Sequence, residues 1–408
     1  MRHKMSAADP SNPPRAGLPY GLRALIRMGD GLPLGSIVIQ VPDGRRYRFQ
    51  GEAPGPAADL IFHRASAARR FLFGGGVGFA EAFMDGDWET SDLTALLELA
   101  ALAEDVLSHK QLQGGLIARF VNRVLHAMRA NTKTRARRNI EQHYDLGNSF
   151  YQHWLDPSMT YSSGIYATDD TDLEAAQDAK YGRITALLDL KPEHHVLEIG
   201  CGWGGFAEYA ASRHGCRVTG ITISPSQLEF AQARIERAGL SHLVDLQLID
   251  YRDVQGTYDR ITSIEMIEAV GEQYWPAYFQ TLNARLKPGG IAAVQAITIA
   301  DRFFEQYRKS ADFIQRHVFP GGMLPSPAKL KSLASTTGLA WRDDAGFARD
   351  YARTLATWRQ RFDGAWPEIA QMGFDERFRR LWRYYLSYCE AGFRSGGIDV
   401  LQIALVKP

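Results

Sequence analysis

The segment Val196-Leu-Glu-Ile-Gly-Cys-Gly-Trp-Gly-Gly-Phe206 constrains the fold more than any other part of this chain. A β-rich run ends at Gly200, the turn carries Gly202, Gly204 and Gly205, and helix-forming residues follow. Glycines at these places permit a tight turn and close backbone approach to a ligand at the carboxyl edge of a sheet. From about Leu187 onward, further β-rich runs end at Ser224, Asp250, Glu265 and Ile299, with helical segments such as 225–238 and 273–286 between them. Strands that alternate with helices predict a mostly parallel sheet covered on both faces, an α/β fold. Residues 302–330 interrupt this order with aromatic residues and the turn Pro320-Gly321-Gly322. The chain then closes with an aromatic helix, 374–393, and an apolar strand, Ile-Asp-Val-Leu-Gln-Ile-Ala-Leu-Val.

A glycine loop of this kind suits a dinucleotide or S-adenosylmethionine. A dinucleotide site places an acid about 20 residues further on, at the end of the second strand, to hold a ribose. Here that strand ends Gly220-Ile-Thr-Ile-Ser224, without a carboxylate. Glu198 instead stands two residues before the first glycine, the E/D-x-G-x-G-x-G arrangement of S-adenosylmethionine methyltransferases. The expected fold is therefore the class I methyltransferase fold, Rossmann-like with a mostly parallel sheet.

The residues upstream read differently. Residues 1–19 form a loose tail, with positive charge but no apolar run that would make a signal peptide. Residues 20–109 form a small α+β domain, with a hairpin signal at Pro42-Asp43-Gly44 and helical periodicity from Leu93 to Leu107. Residues 110–140 form a connector with eight cations (Lys110, Arg119, Arg123, Arg129, Lys133, Arg135, Arg137 and Arg138) and no acid. Apolar residues recur between them at helical spacing, which suits either an anionic membrane surface or a linker helix with one solvated face. Residues 141–408 make up the catalytic domain. The net charge of the whole chain is +1, which argues against a globally basic nucleic-acid binder. Three scattered cysteines suit a reducing compartment, and no run of about 20 apolar residues spans a bilayer. Together these point to a cytoplasmic protein, peripheral on the inner face of the membrane. No His/Cys/Asp/Glu grouping has metal-ligand spacing, so no metal is expected.

Several further stretches carry a resemblance. They are Gln142-His-Tyr-Asp-Leu-Gly-Asn148, Leu155-Asp-Pro-Ser-Met-Thr-Tyr-Ser-Ser163, Gly220-Ile-Thr-Ile-Ser-Pro-Ser-Gln227, Ser263-Ile-Glu-Met-Ile-Glu268, Asp312-Phe-Ile314, Phe319-Pro-Gly-Gly322 and Tyr385-Leu-Ser-Tyr-Cys-Glu-Ala-Gly-Phe393. In this order, and with the glycine loop, they resemble the cyclopropane-fatty-acid synthase family, which includes the mycolic acid methyltransferases. The stretch Gly78-Phe-Ala-Glu-Ala-Phe-Met-Asp-Gly-Asp-Trp88 is similar to that family's N-terminal domain.

The resemblance implies S-adenosylmethionine-dependent methyl transfer to the double bond of an unsaturated phospholipid acyl chain, closing it to a cyclopropane. It places Tyr161, Ser162, Glu198, Gly200, Gly202 and Gly204 at the cofactor's amino-acid end. Thr222 and Gln227 would hold the ribose, against a reading of them as a helix cap and a surface residue. Asp250, Tyr251 and Arg252 would lie beside the adenine. Electron-rich rings such as those of Tyr144, Tyr161, Tyr307, Phe313 and Tyr385 suit the developing positive charge. The family's base is a bound bicarbonate, here assigned to Ser163, Glu268, Gln295 and Tyr385; taken alone, Glu268 equally suits a helix cap. Ser163 and Gln295 replace the family's cysteine and histidine, which leaves a methyl-branched or methylene product open beside the cyclopropane. A methyltransferase for a soluble acceptor and a non-catalytic lipid-binding membrane protein are the more distant alternatives. Segments 302–330 and 374–393 would cover the acyl chain, and some relatives act as oligomers.

Overall fold

The computed structural model describes residues 12–108, 146–309 and 311–408. The basic connector and Tyr144 lie outside them. The described residues form two compact units, one of those up to residue 108 together with 366–397 and one of those from residue 146 to 365 together with 398–408.

The first unit is built on a four-stranded sheet in the order β2-β1-β3-β4: β1 (Leu34–Gln40), β2 (Arg46–Gln50), β3 (Ala53–Phe62) and β4 (Trp88–Glu89). Val41 and Arg45 close the β1–β2 hairpin, with Gly44 at φ +87° in the turn where only glycine is unstrained. Residues 12–19 depart from the loose tail expected of them. Asn12 exchanges two hydrogen bonds with the Arg48 backbone, and Arg15 forms a two-pronged ion pair with Asp30 at 2.5 and 2.6 Å. The helix Ser66–Met84 bends at Gly75, and Trp88, fully buried, stacks on Phe79 at 4.1 Å.

The aromatic C-terminal helix, Glu376–Arg394, also belongs to this unit. Its apolar stripe buries Trp382, Tyr384, Tyr385, Leu386 and Phe393, each contributing about 1.5–3 kcal/mol through area removed from water. Within the stripe lies Glu390, which accepts a hydrogen bond from Thr94 of the helix Leu93–Ser108 and pairs with Arg394 at 2.5 Å. The expected boundary at residue 109 is thus incomplete, because residues 366–397 return to the small unit.

The second unit carries a seven-stranded sheet in the order β10-β11-β9-β8-β5-β6-β7. The strands are β5 (His195–Ile199), β6 (Arg217–Thr222), β7 (Val244–Leu248), β8 (Tyr258–Ile264), β9 (Leu286–Ile299), β10 (Ala340–Gly346) and β11 (Ile398–Val406). Strands β5 to β9 pair in parallel, while β11 inserts antiparallel between β9 and β10. The order reverses between β5 and β8. At such a switch point the loops leaving the two strands diverge and open a crevice at their carboxyl ends. The α/β reading is correct, and β10 is the strand it lacks. As an edge strand mostly exposed to water, β10 has no apolar alternation to reveal it.

The insertion that follows β9 carries short helices at Asp301–Tyr307 and Phe313–His317. Asp312 and Gln315 cap the second helix reciprocally. The Gln315 amide donates to Gly322 O at 2.9 Å, and Met323 N donates to Glu268 O at 2.8 Å. The insertion is therefore tied to the loop that follows β8.

Candidate active site

Two loops meet at the switch point. After β5, Gly200 and Cys201 both donate their N–H to Ile221 O at 2.9 Å, which anchors the glycine loop to β6. Gly202 has φ +51° and Gly204 φ +83°, conformations that cost an L-residue energy. A side chain on Gly204 would press on Ala231 at 3.0 Å, whereas one on Gly202 would enter open space. The first glycine serves packing and the second leaves room above the loop.

Beneath that loop Glu198 is 3% exposed, and burial pushes its carboxyl well above the ordinary glutamate range. Its Oε2 carries no hydrogen bond among the described residues. Thr222 and Gln227 are both buried, and their side chains meet at 3.2 Å. The helix cap at this point is Ser224, which accepts from Gln227 N. Thr222 and Gln227 therefore have neither the cap nor the surface role. Asp250 accepts from the backbone N–H and the guanidinium of Arg252, at 2.6–2.9 Å, and the Arg252 guanidinium lies over the Tyr251 ring. An unpaired carboxyl oxygen below a turn that is open at Gly202, with a buried Thr–Gln pair at the next strand end, fits an amino acid carrying an ammonium group joined to a ribose. These residues fit S-adenosylmethionine.

The second loop centres on Glu265, the residue immediately after β8, which sequence reasoning did not single out. It has φ +51° although it is not glycine. Its Oε1 accepts from Ser163 N at 2.9 Å and Gln295 Nε2 at 2.7 Å, and its Oε2 accepts from Tyr351 OH at 2.5 Å. Lys180, with no exposed surface, donates to Ser162 Oγ at 2.7 Å and lies within electrostatic reach of Glu265, Asp156 and Glu198. Burial pulls the Lys180 ammonium down to about 7 against those three carboxylates. Burial pushes Glu265 up, and its hydrogen-bond donors and Lys180 act the other way.

Glu268 keeps part of its surface open, and its Oε1 accepts from Ile297 N at 2.5 Å. Burial of the carboxyl, and then the neighbouring Glu265 charge, push it up to about 8. Its Oε2 has no hydrogen-bond partner among the described residues. Ser163, Gln295 and Glu265 are thus brought together, with Glu268 close enough to feel the Glu265 charge. Tyr385 lies on the C-terminal helix of the first unit, edge-on to Trp382 at 5.2 Å.

Tyr161 carries the aromatic wall. Its ring lies 5.5 Å from those of Tyr151 and Trp154 and 5.3 Å from that of Trp358. Trp203, from the glycine loop, extends the wall at 5.1 Å from Tyr151. Trp358, Tyr351 and Gln402 also escaped sequence reasoning. Lys180 left a usable trace, because it falls on the stripe of Leu173, Ala176, Gln177, Tyr181, Ile184 and Leu187 that the helix Leu173–Leu187 buries. A lysine in register with an apolar stripe signals a buried cation.

Residues 131–403 match the family model described as mycolic acid cyclopropane synthetase. The tuberculostearic acid methyltransferase of Mycobacterium tuberculosis is 40% identical over 378 residues, 88% of this chain and 85% of that protein. The cyclopropane-fatty-acyl-phospholipid synthase of Escherichia coli is 36% identical over 391 residues, 90% of this chain and 95% of that protein. Among solved structures, the mycolic acid cyclopropane synthase CmaA1 complexed with SAH and CTAB superposes with a TM-score of 0.63 at 29% identity, over 66% of this chain and 98% of that one. With the methyltransferase sheet, a glycine loop that fits S-adenosylmethionine and these relatives in agreement, the chain is an S-adenosylmethionine-dependent methyltransferase and belongs to the mycolic acid cyclopropane synthetase family.

Proposed function

We propose that this enzyme methylates the double bond of unsaturated phospholipid acyl chains and closes it to a cyclopropane. The observation that carries the proposal is the ring cluster around Tyr161, which reaches the Glu265 carboxyl through Trp358 and Tyr351, whose rings lie 6.2 Å apart. A polar, soluble acceptor would call for hydrogen-bonding groups around Tyr161, where the neighbours are buried aromatic rings.

When bound, S-adenosylmethionine supplies an activated methyl group. Tyr161, Ser162, Glu198 and the loop Gly200–Gly204 would hold its amino-acid end, Thr222 and Gln227 its ribose, and Asp250 to Arg252 its adenine. The protein then has three tasks, since an isolated alkene is a weak nucleophile. It must align the chain, so that positioning carries much of the rate. It must exclude water, which would quench the positive charge left on the acyl chain. It must also face that charge with ring faces, worth about 0.5–2 kcal/mol each. The insertion after β9, tied to the loop after β8 by the Met323–Glu268 backbone hydrogen bond, would cover the acyl tail.

The residues available for a bicarbonate ion do not fit one. Ser163 N and Gln295 Nε2, two of the groups assigned to it, already donate to Glu265. The similarity to a tuberculostearic acid methyltransferase supports a second reading, in which the same methylation ends in a methyl-branched or methylene chain.

The eight cations between Lys110 and Arg138 support peripheral association with anionic membrane on the cytoplasmic side. No helix among the described residues is long and apolar enough to cross a membrane. Neutralising these cations should weaken co-sedimentation with anionic vesicles.

The test is incubation with unsaturated phospholipid and methyl-labelled S-adenosylmethionine, followed by acyl-chain mass and NMR. A gain of one CH₂ with ring protons at high field is expected, and the same mass with vinylic protons would support the second reading. Absence of label in lipid despite S-adenosylmethionine binding would sink both. Glu268→Gln should lower turnover and leave cofactor binding intact.

A further inference from the structure

Ring closure needs a base, and the donors that would hold an external one are engaged by a side chain of the protein itself. We infer that Glu265 is a built-in carboxylate base for this reaction, held by Ser163, Gln295 and Tyr351 where the family resemblance implies a bound ion, so that the enzyme turns over without bicarbonate. The inference rests on the reading of the protein as an acyl-chain methyltransferase.

Three features of the site support it. The first is the donor set: Ser163 N, Gln295 Nε2 and Tyr351 OH reach the carboxylate from three separate parts of the chain, at 2.9, 2.7 and 2.5 Å. A carboxylate has about four acceptor sites, so three donors fix its orientation and leave one lone pair to take a proton. The second is the backbone. A φ of +51° at a non-glycine residue costs about 1–3 kcal/mol and persists only where the surroundings over-determine it. Gln295 O accepts the Glu265 N–H at 2.8 Å and Gln295 Nε2 binds its carboxylate, so one residue of β9 pins both ends of Glu265. The third is the surrounding charge and access. Lys180 supplies a fully buried positive charge that favours the carboxylate, while Glu265 keeps part of its surface open. A carboxylate retained only to neutralise Lys180 would need neither the strained backbone nor three hydrogen-bond donors.

The step balances as follows. Once the methyl carbon is bonded to one alkene carbon, positive charge sits on the other. Glu265 takes one proton from that methyl group, and the C–H electron pair forms the second ring bond. Glu265 leaves the step as the neutral acid and returns its proton to solvent before the next turnover.

The test uses the full chain, vesicles of unsaturated phosphatidylglycerol and methyl-labelled S-adenosylmethionine in buffer stripped of carbon dioxide, with and without added bicarbonate. Wild-type turnover should be the same within about twofold under both conditions. Glu265→Gln should lose at least about 100-fold, the scale of a positioned base, while S-adenosylhomocysteine binding by calorimetry is retained. Glu265→Gly relieves the positive φ and empties the site, and added bicarbonate or formate should raise its low activity at least about tenfold, since either anion can then serve as the proton acceptor. Dependence of the wild type on bicarbonate, or near-normal turnover by Glu265→Gln, would overturn the inference and leave the proposed function standing. Wild type that labels no lipid under either condition would instead overturn the function.

Discussion

Gln402 and Gln295 are register partners on the antiparallel strands β11 and β9, and the Gln402 amide donates to Gln295 Oε1 at 2.9 Å. That contact fixes which end of the Gln295 side chain carries its donors, so Nε2 faces Glu265. A residue in the last strand of the chain thereby orients a group at the end of β8. Gln402→Leu should leave the Gln295 carbonyl oxygen unpaired and its amide free to turn. The expected cost is about 1–3 kcal/mol, read as a lower urea midpoint with little change in slope.

Gly202 and Gly204 should respond differently to alanine. Both substitutions strain a positive φ, but only Gly204→Ala meets a neighbour, Ala231. Gly204→Ala should therefore lose about 1–3 kcal/mol of stability. Gly202→Ala should lose about 1 kcal/mol of stability and at least about tenfold in S-adenosylhomocysteine affinity, about 1.4 kcal/mol. Calorimetry beside thermal unfolding separates the two, and equal affinities would place the ligand away from Gly202.

Glu268 should make the protein less stable as pH rises. Its carboxyl is raised from the ordinary 4.5 to about 8, first by burial and then by the charge of Glu265. Between those values the unfolded chain has lost the proton and the folded chain keeps it, so stability falls with pH, by at most about 1.4 kcal/mol per unit. Below 4.5 both states hold the proton and the effect vanishes; above 8 it levels off. Glu268→Gln cannot ionise, so its melting temperature relative to wild type should climb between pH 5 and 8. A constant difference would place the Glu268 carboxyl in a solvated environment.

Lys180 and Glu265 should be energetically coupled. Lys180→Met removes a buried positive charge and leaves the carboxylate without its counter-cation, at a cost of about 3–5 kcal/mol. Adding Glu265→Gln should recover about 1–3 kcal/mol of that loss. Unfolding midpoints for the four proteins of the cycle measure the coupling, and strict additivity would mean that the two side chains do not interact.

How much of this was legible in advance depends on the range of the interactions involved. Glu265 stands in plain sight in Ser263-Ile-Glu-Met-Ile-Glu268, yet what marks it out is a positive φ and three donors drawn from residues 163, 295 and 351. None of these is a local property of the sequence. Lys180 was half legible, since its place on an apolar stripe implies burial but says nothing of Ser162 or Glu265. The helix Glu376–Arg394 was readable as an aromatic amphipathic helix, while its membership of the small unit was not. Thr94 and Glu390, which help hold it there, are 296 positions apart.

The sequence by itself determined the repeated strand–helix order, the glycine turn after β5 and the missing ribose acid. All three follow from interactions between residues close in the chain, where period and turn chemistry speak directly. Tertiary structure alone decided which carboxylate occupies the anion position and which lysine balances it, along with how Gln295 is oriented and which unit receives residues 366–397. The physical reason is that each depends on distant segments meeting in a desolvated interior, where a hydrogen bond or a charge gains its strength from surroundings that no local window contains.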